Sequence, residues 1–117
     1  LPICDDQALG QMATNLIDNA IKYTPQGGKV SVRLELQGDV AVFSVSDNGL
    51  GIDIADQDRI FERFYRVDKA RSKSLGGTGL GLAIVKHIAQ SHKGHIQLQS
   101  QLKQGSTFSI HIPVQQN

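Results

Sequence analysis

The periodicity of the apolar residues changes from helical to extended twice along the chain, and this order constrains the fold most. Apolar residues recur at every third or fourth position from about Gln7 to Tyr23, which predicts an amphipathic helix. A second helix is predicted from the glycine-rich run at 76–81 to about Ser91. Each helix is followed by two segments typical of strands, so we expect an α+β domain, a two-layer α/β sandwich with the helices on one face of a mixed, mostly antiparallel sheet. The residues expected to form the buried stripe of the first helix are Leu9, Met12, Ala13, Leu16, Ile17, Ala20 and Ile21.

Alternation of apolar and polar residues predicts the strands. Apolar residues at Val30, Val32, Leu34 and Leu36 alternate with polar ones, which is typical of a half-buried strand. A hairpin partner is predicted over 40–45, after a turn at 38–39, and a later pair at about 95–101 and 107–113. Between the two halves, the highly charged segment 53–75 is predicted to form a short helix at about 58–64 and otherwise a mobile flap.

The composition is that of one ordinary globular domain. The chain has 117 residues, of which 39% are hydrophobic and 20% charged, and its formal net charge is +1. That charge gives no indication of nucleic acid or an anionic membrane as partner, and the apolar runs are shorter than the roughly 20 residues of a membrane-spanning helix. A single cysteine excludes an internal disulfide and, without suitable ligand spacing, a zinc site. Because the chain begins without Met, we expect it to be one domain of a longer protein.

The segment Gly76–Val85, GGTGLGLAIV, places glycines directly before a helix, where unpaired backbone N–H groups favour an anion such as phosphate. Two common phosphate-binding patterns do not fit it. The dinucleotide fingerprint requires glycine at position 84, which is Ile84. The P-loop ends in Gly-Lys-Ser/Thr, and the first lysine after these glycines is Lys86, inside the predicted helix. Taken alone, the glycines could simply end a flexible flap.

Polar residues elsewhere in the chain support a phosphate-binding role for the glycine-rich loop. Asn15 and Asn19 lie four residues apart and therefore on one helix face, where carboxamides can ligate Mg²⁺ and contact phosphate. Lys22 offers a positive charge to phosphate, and Tyr23 offers a ring to pack beside a base. Asp47, at the end of the second strand, can accept from the exocyclic amino group of adenine, whereas guanine has a carbonyl oxygen at that place. Each feature alone also has an ordinary structural explanation, as a solvated helix face or a turn.

Four motifs together resemble the catalytic ATP-binding domain of sensor histidine kinases, in the superfamily shared with gyrase, Hsp90 and MutL. The N box corresponds to Asn15–Thr24 and the G1 box to Asp47–Gly51. The F box corresponds to Phe61–Arg66 and the G2 box to Gly77–Leu82. Each motif alone is weak, but four in family order and at family-like spacing are specific, and they span most of the chain.

The resemblance implies a mixed sheet of about five strands backed by three helices, with ATP and Mg²⁺ bound between the helices and under a lid at about 53–75. Asn19 would be the Mg²⁺ ligand, Asp47 would fix the adenine, and Phe61 and Phe64 would anchor the lid. The residues implied to contact the nucleotide are Asn15, Asn19, Lys22, Tyr23, Asp47, Gly49, Gly51, Ile52, Phe61, Phe64, Arg66, Gly77, Thr78, Gly79, Leu80, Gly81 and Leu82. Those expected in the apolar pocket or the adjoining core are Ile52, Ile60, Leu82 and Phe108.

The residue at position 15 separates the subfamilies. In the superfamily's ATP hydrolases a glutamate in the place of Asn15 activates water, and an amide cannot act as a general base. The resemblance therefore implies phosphotransfer, with Asn15, Lys22 and Arg66 acting on the phosphates together with Mg²⁺. A serine-type protein kinase of the anti-sigma kind and a nucleotide-binding module without turnover remain alternatives.

The histidines of the chain do not supply a phosphate acceptor. His87, His92, His95 and His111 all lack the His-Glu/Asp-Leu-Arg-x-Pro context of the family's phosphoacceptor. The resemblance implies that the acceptor histidine lies on a separate dimerisation domain of the same parent protein, a phosphoprotein of a two-component system with a response regulator downstream. We expect this domain to be cytoplasmic and monomeric by itself, and the parent to be a homodimer.

Overall fold

The structure is a computed structural model that describes residues 6–63, 65 and 81–114. Within these residues there are three helices and four strands, and they follow one another in the order expected from the sequence. The helices are α1 (Asp6–Lys22), α2 (Ile54–Gln57) and α3 (Gly81–Ser91), and the strands are β1 (Val30–Gln37), β2 (Val40–Asp47), β3 (His95–Gln101) and β4 (Gly105–Pro113).

The strands form one sheet in the order β1-β2-β4-β3, and all three pairings are antiparallel. This arrangement confirms the α+β two-layer sandwich. It differs from the expectation in that the described residues contribute four strands and not about five, and the sheet is antiparallel and not mixed. The reason is the connectivity: short turns join β1 to β2 and β3 to β4, and the two hairpins meet through β2 and β4.

The hydrophobic core lies between the helices and one face of the sheet. Leu16 of α1 and Val85 of α3 are completely buried against Val45 of β2 and Ile110 of β4. Burial of four large aliphatic side chains at this centre, each worth about 1.5–3 kcal/mol, holds the two helices on the sheet. No helix within the described part of the chain is both long and apolar enough to cross a bilayer.

The prediction that β1 is half buried is wrong for most of the strand. Val32, Leu34 and Leu36 are 51%, 72% and 64% exposed, and only Val30 packs against the core. β1 is an edge strand, and α1 packs over β2 and α3 more than over β1, so the apolar face of β1 extends beyond the helical layer. Ile21, expected in the buried stripe of α1, is 59% exposed.

The short helix predicted at 58–64 is replaced by an earlier one. α2 begins after Asp53, whose side chain accepts a hydrogen bond of 3.0 Å from the backbone nitrogen of Ala55. Residues 58–63 form successive turns, in which both Ile60 and its neighbour Phe61 pack toward the core. The helix therefore starts at the Asp53 cap, before the predicted position, and ends at Gln57.

Candidate nucleotide-binding site

A cavity of about 280 Å³ opens between α1, the loop after β2, the start of α3 and the turn between β3 and β4. That volume is near the lower end for small-molecule sites, which span roughly 300–1,000 Å³. The lining is mostly apolar, with a few polar side chains that could fix the orientation of a ligand. The residues that line the cavity are Asn19, Tyr23, Asp47, Leu50, Gly51, Ile52, Ile60, Leu82, Leu102 and Ser106.

Seven of the ten lining residues were expected from the sequence to lie in or beside the nucleotide pocket. They come from the N box, the G1 box and the residue after it, the residue before the F box and the end of the G2 box, which are far apart in the chain. Their convergence on one cavity is a property of the fold and not of any single motif. These seven are Asn19, Tyr23, Asp47, Gly51, Ile52, Ile60 and Leu82.

Among the described residues that line the cavity, Asp47 is the one that carries a carboxylate. Its Oδ1 accepts a hydrogen bond of 2.9 Å from the backbone nitrogen of Gly49, and the backbone of Ser106 donates a second. Burial raises the pKa of Asp47 above its ordinary value, although both backbone hydrogen bonds act in the opposite direction. The carboxylate is therefore oriented by two amides and partly desolvated, which suits an acceptor that recognises one donor of a ligand.

The loop after Asp47 passes close to two other backbone segments. Gly49 lies against the main chain of Tyr23, and Gly51, with φ +71°, lies against the main chain of Gln101. A side chain at either glycine would overlap that backbone. The backbone nitrogen of Lys103 also donates to the carbonyl of Leu50 over 2.8 Å, so the turn between β3 and β4 holds this wall of the cavity.

Of the two asparagines of α1, one lines the cavity and the other contacts the start of α3. Asn19 lines it, and the Nδ2 of Asn15 lies 3.5 Å from the carbonyl oxygen of Gly81, the first residue of α3. Among the described residues no group of three His, Cys, Asp or Glu side chains could hold a metal ion. The Asn19 carboxamide nevertheless fits Mg²⁺, which prefers oxygen ligands and usually combines one or two protein oxygens with phosphates and water.

Apolar side chains form the inner wall beneath the cavity. Ile60 is 5% exposed and contributes to the lining, whereas Phe108, at 2%, belongs to the core behind it. The ring of Phe61 meets that of Phe108 edge to face, with centroids 6.1 Å apart and an interplanar angle of 88°. The first part of segment 53–75 is thus packed on the core and is not a free flap.

Several expected site residues lie elsewhere or outside the described residues. Lys22 ends α1 half buried and does not line the cavity, and none of the four histidines lines it either. His111 instead stacks on His95 across the β3–β4 pair, with ring centroids 4.7 Å apart. The residues that fall outside the described part of the chain are Phe64, Arg66, Gly77, Thr78, Gly79 and Leu80.

Sequence reasoning missed three lining residues, Leu50, Leu102 and Ser106. For Ser106 a signal existed, because it continues the row of Phe108 and Ile110, whose side chains face the core. A polar residue in line with core-facing ones points to a polar site at the end of the sheet. Leu102 gave no local signal, since its place beside the cavity depends on the contact between two distant loops.

Comparison with known proteins agrees with this geometry. Residues 4–116 match the family described as "Histidine kinase-, DNA gyrase B-, and HSP90-like ATPase". The sensor-like histidine kinase SenX3 of Mycolicibacterium smegmatis is 52% identical over 109 residues, which are 93% of this chain and 28% of that protein. The chain spans less than a third of the length of the curated relatives it matches.

Solved structures share the fold. The mycobacterial sensor histidine kinase MprB aligns with a TM-score of 0.82 at 36% identity, over 93% of this chain and 74% of that chain. Full-length ShkA in complex with AMPPNP aligns with a TM-score of 0.76 at 34% identity, over 91% of this chain and 21% of that chain. The chain thus has the fold of the kinase catalytic ATPase domain of sensor histidine kinases, and it belongs to the histidine kinase-, DNA gyrase B- and HSP90-like ATPase family.

Proposed function

We propose that this domain binds Mg·ATP and transfers the γ-phosphoryl group to a histidine on a separate dimerisation domain of its parent protein. The observation that carries the proposal is that Asn19 of α1 and Asp47 of β2 line the same cavity. One offers an oxygen ligand for a cation and the other an acceptor for a base. A further support is ShkA, a structural neighbour whose full-length structure is a complex with AMPPNP.

The base would bind at the end of the cavity formed by Asp47, Tyr23 and Ile52. The ionised carboxylate of Asp47 would accept from the exocyclic amino group of adenine and would repel the carbonyl oxygen of guanine. The ring of Tyr23 would pack beside the base. Because Gly51 has no side chain, its backbone would pass close to the base.

The phosphates would extend past α1 toward the start of α3. Asn15 would lie beside them, Lys22 and Arg66 would contact them, and the backbone of 78–82 would cradle them. Mg²⁺, held by Asn19 and by phosphate oxygens, would neutralise charge that develops during transfer. Phe61 and Phe64 would anchor the lid, proposed at about 53–75, over this end.

Transfer would break the bond between the γ-phosphorus and the β–γ bridging oxygen and form a bond to a ring nitrogen of the acceptor histidine. Asn15 carries an amide where a hydrolase needs a general base, so water would not compete effectively for the phosphoryl group. The phosphohistidine would then pass its phosphoryl group to a response regulator. We further propose that the domain acts in the cytoplasm as part of a homodimeric parent.

The test is to mix the domain with Mg·ATP and a separately prepared dimerisation domain and to follow the phosphate. We expect acid-labile phosphate on the histidine of the dimerisation domain, and a strong loss of it for Asn19→Ala. Acid-stable phosphate on serine would favour the anti-sigma type of kinase instead. ATP binding with no transfer to any acceptor would favour a module without turnover.

A Gly79→Ala, Gly81→Ala double variant tests the glycine-rich loop. Within the described part of the chain, an added Cβ at Gly81 would meet only Asn15, at 4.0 Å, which is ordinary van der Waals contact. We therefore expect folding to be kept while ATP affinity falls, measured by calorimetry. Unchanged affinity would mean that the loop only ends the preceding segment and does not hold phosphate.

A further inference from the structure

The hydroxyl of Ser100 lies at the centre of a hydrogen-bond network behind the cavity. Ser100 is the last core-facing residue of β3, in line with Ile96 and Leu98, and it pairs with Ser106 across the sheet. Its Oγ accepts from the backbone nitrogen of Ile52 over 2.7 Å and lies 3.0 Å from the carbonyl oxygen of Gly105. The Oγ of Ser106 is 2.8 Å away.

The proton count of this network fixes the direction of its hydrogen bonds. A serine hydroxyl has one proton and two lone pairs. The proton of Ser100 goes to the carbonyl of Gly105, because a carbonyl oxygen can only accept. Ser100 must then accept from both Ile52 and Ser106, so Ser106 is the donor of the shared bond. The Oγ of Ser106 therefore keeps only lone pairs for the cavity it lines.

The backbone carbonyl of Ile52 is held by a hydrogen bond as well. The Nε2 of Gln57, in α2, donates to the carbonyl of Ile52 over 2.9 Å and lies 3.3 Å from the carbonyl of Ser100. Ile52 lines the cavity. Its backbone N–H binds Ser100 directly, and its C=O binds Gln57, which also contacts the carbonyl of Ser100, so both backbone groups of Ile52 are tied to β3. The part of the cavity lining formed by Ile52, the Ile52 wall, therefore depends on Ser100 and Gln57 and not on the loop alone.

We propose that Ser100 is a positioning residue for nucleotide recognition, which fixes the Ile52 wall and orients the Ser106 hydroxyl as an acceptor. The inference rests on the proposed function, ATP binding in this cavity. With Ser100 in place, Asp47 and Ser106 present only acceptors, since the backbone N–H of Ser106 is used by Asp47. Such a surface suits the amino group of adenine and disfavours a base with a carbonyl oxygen there.

The chain offers a matched control for an effect of serine loss in itself. Ser44 of β2 and Ser109 of β4 also pair through their hydroxyls, 3.1 Å apart, but on the face of the sheet opposite the helices. Ser44 does not line the cavity. Ser44→Ala therefore removes a similar cross-strand hydroxyl pair without touching the network of Ser100.

The experiment compares Ser100→Ala, Ser100→Thr and Ser44→Ala with wild type by calorimetric titration with Mg·ATP and with Mg·ITP. ITP has a carbonyl oxygen in place of the adenine amino group. For Ser100→Ala we expect an ATP affinity three- to tenfold lower, because the hydrogen bond that positions Ile52 is lost. We also expect a smaller preference for ATP over ITP, because Ser106 can now donate. Ser100→Thr keeps the hydroxyl and should stay near wild type, as should Ser44→Ala.

Two further measurements test the positioning role of Ser100. Amide exchange at Ile52, followed by NMR, should be faster in Ser100→Ala than in wild type and unchanged in Ser44→Ala. Should Ser100→Ala not fold, Gln57→Leu should lower ATP affinity through the Ile52 wall without changing the preference for ATP over ITP.

The outcomes distinguish a failure of the positioning role of Ser100 from a failure of the proposed ATP binding. Unchanged ATP affinity and unchanged preference in Ser100→Ala overturn the inference, even if Ile52 exchanges faster, because the role would then be structural only. If wild type binds neither nucleotide, the proposed function fails. Independently of nucleotide binding, unchanged amide exchange at Ile52 in Ser100→Ala would overturn the positioning role.

Discussion

Gly51 lies directly against the main chain of Gln101, in a backbone conformation with φ +71°. A Cβ on Gly51 would sit 2.6 Å from the carbonyl carbon of Gln101 and 2.9 Å from the Cα of Leu102. This contact joins the loop after β2 to the turn between β3 and β4, and both segments line the cavity. Glycine is therefore required at position 51 for two reasons, its positive φ and the backbone that lies against it.

Gly51→Ala is accordingly expected to destabilise the domain by about 2–4 kcal/mol, through left-handed strain and overlap with backbone. Urea denaturation measures the change. Gly10→Ala is the control, because Gly10 lies in α1 and no atom of the described residues is within 4 Å of its added Cβ. That variant should be more stable than wild type by roughly 0.5–1 kcal/mol, since alanine favours helix. Equal effects of the two substitutions would contradict the close contact at Gly51.

Asp47→Asn is expected to change the pH dependence of stability. Burial raises the pKa of Asp47 above its ordinary value of 3.8 despite the backbone hydrogen bonds from Gly49 and Ser106. The folded state therefore holds the proton more tightly than the unfolded chain, so wild type loses stability as pH rises through the folded pKa. Asparagine does not titrate, and the stability of the variant relative to wild type should increase with pH over this window and stay constant above it.

Denaturation of both proteins from about pH 3 to pH 7 checks the sign, because the ordinary aspartate pKa lies inside that range. ATP affinity at neutral pH should fall in Asp47→Asn whatever its stability, because an amide offers one acceptor and an unwanted donor. A relative stability that decreases with pH would mean a lowered pKa and would contradict the desolvation of the carboxylate.

The sequence predicted the elements that depend on local patterns. The period of α1, the boundaries of β3 and the convergence of Asn19 and Asp47 follow from residue spacing and from the four ordered motifs. The exposure of β1 could not be predicted, because it depends on which strand forms the edge of the sheet. Strand order arises from the pairing of β2 with β4, which is not encoded in either strand alone.

The candidate site was predictable in the same limited way. Motif residues of α1 and β2 line the cavity, but Leu102 does so only because its turn contacts Leu50. Likewise, the role of Ser100 depends on the pairing of β3 with β4 and on a loop from the other half of the chain. Contacts between distant segments decide these positions, and no local pattern records them.

Phe61→Ala is expected to destabilise the fold by about 2–3 kcal/mol, because it removes the edge-to-face contact with Phe108 and leaves a gap at the core. The ring also lies 5.9 Å from the Nζ of Lys86, a weaker contribution that is lost at the same time. Phe61→Leu keeps most of the apolar volume and should recover more than half of the loss. Thermal denaturation measures both variants. Equal destabilisation by Ala and Leu would contradict packing as the cause.

Leu16 and Leu34 were both expected to face inward, and the structure separates them. Leu16 is 0% exposed at the centre of the core, whereas Leu34 is 72% exposed on the edge strand. Leu16→Ala should therefore cost about 2–5 kcal/mol through lost burial and a cavity, and Leu34→Ala should stay within about 0.5 kcal/mol of wild type. Urea denaturation of the two variants gives both values under the same conditions. A large loss for Leu34→Ala would mean that the apolar face of β1 is covered in solution.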